Sequence, residues 1–253
     1  MTVAEFSNEF DIYYNSISTN SSPNVDAYEK SVYLTKAQLE IVNNYFNPRG
    51  NKYGQGFEQS SKRRFDLNEL VRPGVSTAEA SNFTDEDKIS EDSQFFTIPL
   101  DLYMFIQESA KVFSEDACIN NTYLDVVPKT HDEYNNQIKN PFKKPEDSVV
   151  WRLDIYSKEG LSQAEKAVEL ISPHTVTEYK FRYIIRPEPI VLVDLAANFP
   201  YENLSIDGVT DAQTCKLSDH IHREILNRAV EMAVADLAPG KLQQKLTMNA
   251  RNE

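Results

Sequence analysis

Glycine is scarce in this chain, 7 residues among 253. Cradling phosphate by backbone needs glycine-rich turns. The run Gly54-Gln55-Gly56 has neither a third glycine nor a preceding strand, so a dinucleotide fold of the Rossmann kind is not expected. Cysteine is scarcer still. Cys118 and Cys215 stand far apart with no partner motif, which disfavours both a disulfide framework and a zinc site and fits two neutral or buried thiols in a reducing compartment. Long apolar runs are missing as well: none approaches the roughly 18 residues a membrane span needs. The opening MTVAEFSNEFD has no basic segment followed by an apolar one, so no signal peptide is expected and synthesis in the cytosol is. Positive charge is in the minority, 26 Lys and Arg against 39 Asp and Glu, for a net charge of −13. A surface of that sign repels phosphate and argues against nonspecific nucleic-acid binding by the chain as a whole.

What the chain does have is aromatic mass, 13 Tyr and 13 Phe, within 40% hydrophobic and 26% charged residues. That composition suits a folded soluble protein of one large or two small domains with a real core. From Thr2 to Ile17, Val3, Phe6, Phe10 and Tyr13 or Tyr14 recur at helical intervals. After a polar loop, Asp26 and Glu29 have the capping-box spacing. The helix they open carries Tyr28, Val32, Leu39, Val42 and Phe46 and stops at Asn47-Pro48. A third helix is predicted from about Phe57 to Val71, ended by Pro73-Gly74.

Beyond the acidic stretch Glu79 to Asp92 the character changes to short aromatic and β-branched segments. These are Phe95–Ile98, Leu102–Gln107, Tyr123–Val127, Val149–Tyr156, Tyr179–Ile185 and Ile190–Leu195, although Leu100–Phe113 also reads partly as helix. Val149–Tyr156 alternates as a half-buried strand should. The last helix is capped by Ser218, bears Ile221, Ile225, Ala229 and Leu237 on one stripe, and stops at Pro239-Gly240. The expected fold is α+β. Residues 1–75 form an N-terminal helical region, 76–94 an acidic linker, 95–200 a central antiparallel β-rich part, 215–240 a C-terminal helix packing back on the first helices, and 241–253 a polar tail.

The candidate chemistry dissolves on inspection. His220 and His222 lie about 200° apart on a helix and cannot share a metal. His131, Asp132 and Glu133 follow Thr130, and the Thr130/Glu133 spacing is that of a capping box, which accounts for the polar run without catalysis. No Ser or Cys nucleophile stands in an elbow context, so no catalytic, metal or cofactor site is expected. A clearer signal is charge segregation. Arg49, Lys52, Lys62, Arg63 and Arg64 crowd one stretch with Glu58 as the sole acid, while Asp85, Glu86 and Asp87 lie in the acidic one.

Three stretches taken in order, FSNEFD with YEKSVYLTKAQLEIV, then VVPKTHDEYNNQIKNPFKKP with WRLDIY, then FRYIIRPEPIVLVDL with IHREILNRAVEMA, resemble virion structural proteins of crAss-like bacteriophages. The resemblance implies a non-enzymatic neck or tail component, a ring subunit of the head–tail connector below the portal. It would be a homo-oligomer, commonly twelve-fold in short-tailed phages, with portal and ring proteins as neighbours. DNA would pass through without being specifically bound, and no membrane would be involved. Such a chain is made in the host bacterial cytoplasm and ends in the virion. A ring closes through a heterologous interface between two different patches. Arg49, Lys52, Lys62, Arg63 and Arg64, with Asp85, Glu86 and Asp87, are the subunit-interface candidates. The rival readings are an auxiliary capsid-associated protein and a virion-borne hydrolase using His131.

Overall fold

The computed structural model describes residues 1–17, 24–46, 57–77, 83–115, 118–140, 142, 145, 147–155, 166–197, 201 and 203–237. They divide into two compact units, one drawn from Met1–Leu70 and from Pro187 onward, the other Val71–Arg186.

The first unit is helical. Helix α1 (Val3–Ile17) buries Phe6, Phe10 and Tyr14, one residue per turn on a single face. Its N-terminus is tied by Thr2, whose hydroxyl accepts from the Glu5 amide at 3.3 Å while the Glu5 carboxylate accepts from the Thr2 amide at 2.7 Å. Helix α2 (Ala27–Phe46) opens on the expected Asp26/Glu29 capping box, with reciprocal bonds of 2.8 and 3.0 Å. A short helix α3 (Ser61–Asp66) lies between 3₁₀ turns at Phe57–Gln59 and Asn68–Leu70. Helices α1 and α2 both pack on the last helix, Asp219–Leu237, which buries Ile221, Ile225, Leu226, Ala229, Val230, Ala233 and Val234. Each fully buried aliphatic side chain there contributes about 1.5–3 kcal/mol.

The segment Ile190–Leu195, expected as a strand of the sheet, belongs to this helical unit and has only an isolated bridge, Val191 to Gln213. Beyond that bridge and the Leu195 amide, which donates to the Thr210 carbonyl at 2.8 Å, a buried polar stripe on α2 bonds this segment and the Glu188 carbonyl just before it. Ser31 Oγ accepts from the Leu192 amide at 2.9 Å, Thr35 Oγ1 from the Ile190 amide at 3.1 Å, and Gln38 Nε2 donates to the Glu188 carbonyl at 2.8 Å. A helix face of Ser, Thr and Gln takes the place of a neighbouring strand.

The second unit is a curled sheet. In chain order its strands are β1 (Val71–Ser76), β2 (Ser93–Ile98), β3 (Leu102–Phe113), β4 (Tyr123–Pro128), β5 (Val149–Ile155), β6 (Lys166–Ile171) and β7 (Thr175–Ile185). They stand side by side as β1-β7-β3-β4-β5-β6-β2, with every pair antiparallel except β4 and β5. Helix α4 (His131–Gln137) is carried in the crossover between those two parallel strands, so the Asp219–Leu237 helix is α5. The terminal strands of the order come back together: Ser76 Oγ of β1 lies 3.3 Å from Thr97 Oγ1 of β2. Three register shifts in β3 strengthen the curl.

Two helical expectations are corrected here. The predicted helix Phe57–Val71 is broken into short turns, and its supposed stop, Pro73-Gly74, sits inside β1. Proline is tolerated because β1 has a neighbour on one side only. Leu100–Phe113 contains no helix; bulges disturb the alternation of β3 and blur its period. Val149–Ile155 is a strand, but it is covered on both faces from Val150 to Leu153. Val150 joins the core inside the curl, while Trp151 and Leu153 pack under Tyr134 of α4.

Candidate assembly interface

Helix α3 shows how little of a basic run need be free. It has six residues, begins after Ser60 in extended conformation and ends when the Leu67 amide closes on the Arg63 carbonyl at 3.1 Å. Successive side chains on so short a helix point in different directions. Lys62 reaches α5 and pairs with Glu224. Arg63 is buried with its guanidinium 5.3 Å from the centroid of the Tyr45 ring. Arg64 is exposed, with Nη2 donating to Ser61 Oγ at 3.2 Å. Beneath them the Tyr45 hydroxyl lies 2.8 Å from Glu224 and 3.4 Å from Asp66. Burial, reinforced by Glu224, pushes the Tyr45 phenol well above its ordinary range, and burial raises the Asp66 carboxyl against the pull of Lys62. Arg49 and Lys52 lie outside the described residues.

The acidic candidates fall in the other unit. Asp85–Asp87 form a 3₁₀ turn with a capping box, in which Asp87 accepts from the Thr84 amide at 2.8 Å and from its hydroxyl at 2.9 Å. Asp85 pairs with Lys88 at 2.7 Å yet leaves its side chain 92% exposed, and Glu86 is exposed beside it. A residue that sequence reasoning missed holds this segment to the sheet. Glu169 of β6, 0% exposed, accepts from the Ile89 amide at 2.9 Å and from the Ser93 hydroxyl at 2.5 Å. A second missed cluster lies inside the curl. Arg152 of β5 meets Glu108 of β3, which also accepts from Tyr179 of β7 at 2.6 Å, and the guanidinium sits 4.1 Å from the Phe105 ring centroid. No local spacing marks groups that three separate strands bring together.

The histidines are placed as their spacing implies. His222 is buried against Phe6 and its Nε2 lies 2.9 Å from the Leu217 carbonyl, whereas His220 is exposed beside the Phe65 ring. His131 is exposed at the start of α4, whose Thr130/Glu133 capping box forms as the spacing predicts, with bonds of 3.2 Å in both directions. Among the described residues no group of three or more His, Cys, Asp or Glu is placed to hold a metal ion, and no helix is long and apolar enough to cross a membrane. Cys215 is buried, which pushes its thiol up to about 12.

What these surfaces belong to emerges from comparison with known proteins. The chain is 40% identical to ring protein 4/5 of Bacteroides phage crAss001 over 257 residues, covering 100% of both chains. It is 37% identical to ring protein 3 of the same phage over 237 residues, covering 92% of this chain and 95% of that one. The family model described as phage tail ring protein 3/4 matches residues 1–244, and the chain belongs to that family of crAss-like phage structural proteins.

Proposed function

We propose that this chain is a non-enzymatic subunit of a closed homo-oligomeric ring in the neck or tail of the virion, through which DNA passes at the head–tail connector. End-to-end similarity to two ring proteins of one phage carries this reading. That one phage has two such relatives also favours a stack, in which this ring sits against a ring of related fold and, nearer the head, the portal. Twelve copies is the expected number. The net charge of −13 supports an acidic channel wall that repels phosphate, so DNA slides without sticking.

Arg64 and Lys62, with the exposed acids Asp85 and Glu86, are proposed to lie at contacts between subunits or between rings; Arg63 and Asp87 act by shaping those patches from within. Native mass spectrometry and negative-stain imaging of the purified chain test the reading. A closed multimer with a central hole is expected. A chain that stays monomeric at high concentration, or tight salt-sensitive DNA binding by the isolated protein, would contradict it. Arg64→Glu is expected to weaken assembly with an unchanged melting temperature.

A further inference from the structure

Among the described residues, the outer face of the curled sheet is largely covered on one side and largely bare on the other. Over β5, β6 and β2 side chains cover most of it: Tyr134 of α4 packs on Trp151, and the acidic segment packs through Phe83 on Phe95 at 4.6 Å and through the Glu169 bonds. The cover stops at β4. Although Ile184 near the end of β7 is buried, several outward side chains on β4, β3 and β7 stay in solvent, including Tyr123, Phe113 and Val127, which are 47%, 54% and 36% exposed. Among them stand the cations Lys111, Lys180 and Arg182. Lys180 is held over the Tyr123 ring at 4.5 Å and Lys111 at 6.0 Å. Arg182 is exposed opposite Gln107 and Pro73. The same face carries Glu178, which pairs with Lys180 at 3.1 Å and accepts from the Tyr123 hydroxyl at 3.0 Å, and the exposed Asp125 of β4, so three cations stand against two acids there on a chain of net charge −13.

Within this unit the bare face and the acidic segment stand back to back. The strand order places β3 third of seven and the β6–β2 pair sixth and seventh, and the Ser76–Thr97 contact brings the two ends of the order together. Going round the curl, β3 is therefore opposite the β6–β2 wall. Two complementary patches on opposite walls of one body make a head-to-tail contact, the kind that closes into a ring and not into a two-fold dimer.

We infer that the bare β4–β3–β7 face receives the acidic segment 85–92 of a second copy of this chain. In that contact Asp85, Glu86, Glu91 and Asp92 face Lys111, Lys180 and Arg182, while the exposed Ile89 lies against Phe113 and Tyr123. The inference rests on the ring reading and names its subunit contact. Opposite charge sets the register, and the aromatic side chains supply the apolar area that a stable interface needs at its centre.

A charge-swap series decides it, with assembly read by native mass spectrometry at low and high salt. Lys111→Glu with Arg182→Glu, and separately Asp85→Lys with Glu86→Lys, are each expected to cut multimer formation at least tenfold. All four positions are exposed or half-exposed, so the melting temperature serves as the folding control. The chain carrying all four substitutions, with both patches reversed, is expected to regain the multimer. If the unsubstituted chain forms rings and both pairs leave them intact, this contact is overturned while the ring reading stands. The pairing is likewise overturned if both pairs abolish rings and the fourfold variant does not restore them. An unsubstituted chain that never multimerises sinks the ring reading and this contact together.

Discussion

Arg152 and Glu108, 44 residues apart in sequence, meet inside the curled sheet at 2.6 Å, and each side chain is only 7% exposed. Burial opposes charge on both. For Arg152 that is outweighed by Glu108 and Asp154, and the guanidinium stays charged; the Glu108 carboxyl is pushed up by burial against the pull of Arg152 and Tyr179. The pair links β3 to β5 across the interior of the curl, with Tyr179 of β7 as third member.

Removing one member should therefore be far worse than removing both. Arg152→Met strands a buried carboxylate and is expected to cost about 3–5 kcal/mol. Arg152→Met with Glu108→Leu should recover much of that loss. Urea unfolding of the two single variants and the double variant gives the coupling directly, and strictly additive losses would count against the account.

Glu169 is expected to control the order of the acidic segment. Glu169→Ala removes the acceptor of the Ile89 amide and the Ser93 hydroxyl. About 1–3 kcal/mol of local stability should be lost. Hydrogen exchange at Ile89 should speed up and protease should cut within 85–92, while the interior of β3 keeps its protection. Unchanged exchange at Ile89 would show that the segment is held by something else.

Gly74 is required by packing, since its φ is not in the left-handed region. A Cβ there would lie 2.2 Å from a ring carbon of Phe181, which is only 4% exposed and cannot swing away. Gly74→Ala should destabilise the sheet unit by about 1–3 kcal/mol. Adding Phe181→Leu should make the second step less costly than it is alone. Denaturant midpoints of the four chains test this.

His222 sets a dependence on acid. Burial holds its imidazole below the ordinary value of 6.5, so the folded chain binds this proton less readily than the unfolded one. Stability from the neutral ring is full above the ordinary value and is lost as pH falls through it towards the lower folded value. The melting temperature should drop between pH 7 and 5, and drop less steeply in His222→Gln. Parallel pH profiles for the two chains would rule the residue out as the cause.

Much of the helical structure was legible because its signals are local. Asp26 with Glu29 and Thr130 with Glu133 are read from spacing alone, since a capping box is closed by residues three apart. The apolar stripe Phe6, Phe10 and Tyr14 is equally local. The sheet was legible as a set of strands but not as an arrangement. β1 was hidden by Pro73-Gly74, which reads as a helix stop until its place at one end of the strand order is known. Ile190–Leu195 looked like a strand, but it makes only an isolated bridge at Val191 and bends at Leu192 and Val193, and Ser31 and Thr35 of α2 bond its Leu192 and Ile190 amides. For the basic run, sequence counted charges and could not tell that Lys62 and Arg63 turn to Glu224 and Tyr45.

The sequence by itself determined the α+β class, the caps and, through its ordered stretches, the phage structural family. Each of these depends on residue identity or on neighbours within a helical turn. Only the tertiary structure decided which charges are buried and which face outward. It alone put Glu108, Arg152 and Tyr179 in one place, fastened the acidic segment to Glu169, and left the β4–β3–β7 face bare. Those outcomes depend on strand order and curl, through which residues far apart in sequence share or lose access to water, and side-chain spacing carries no record of that.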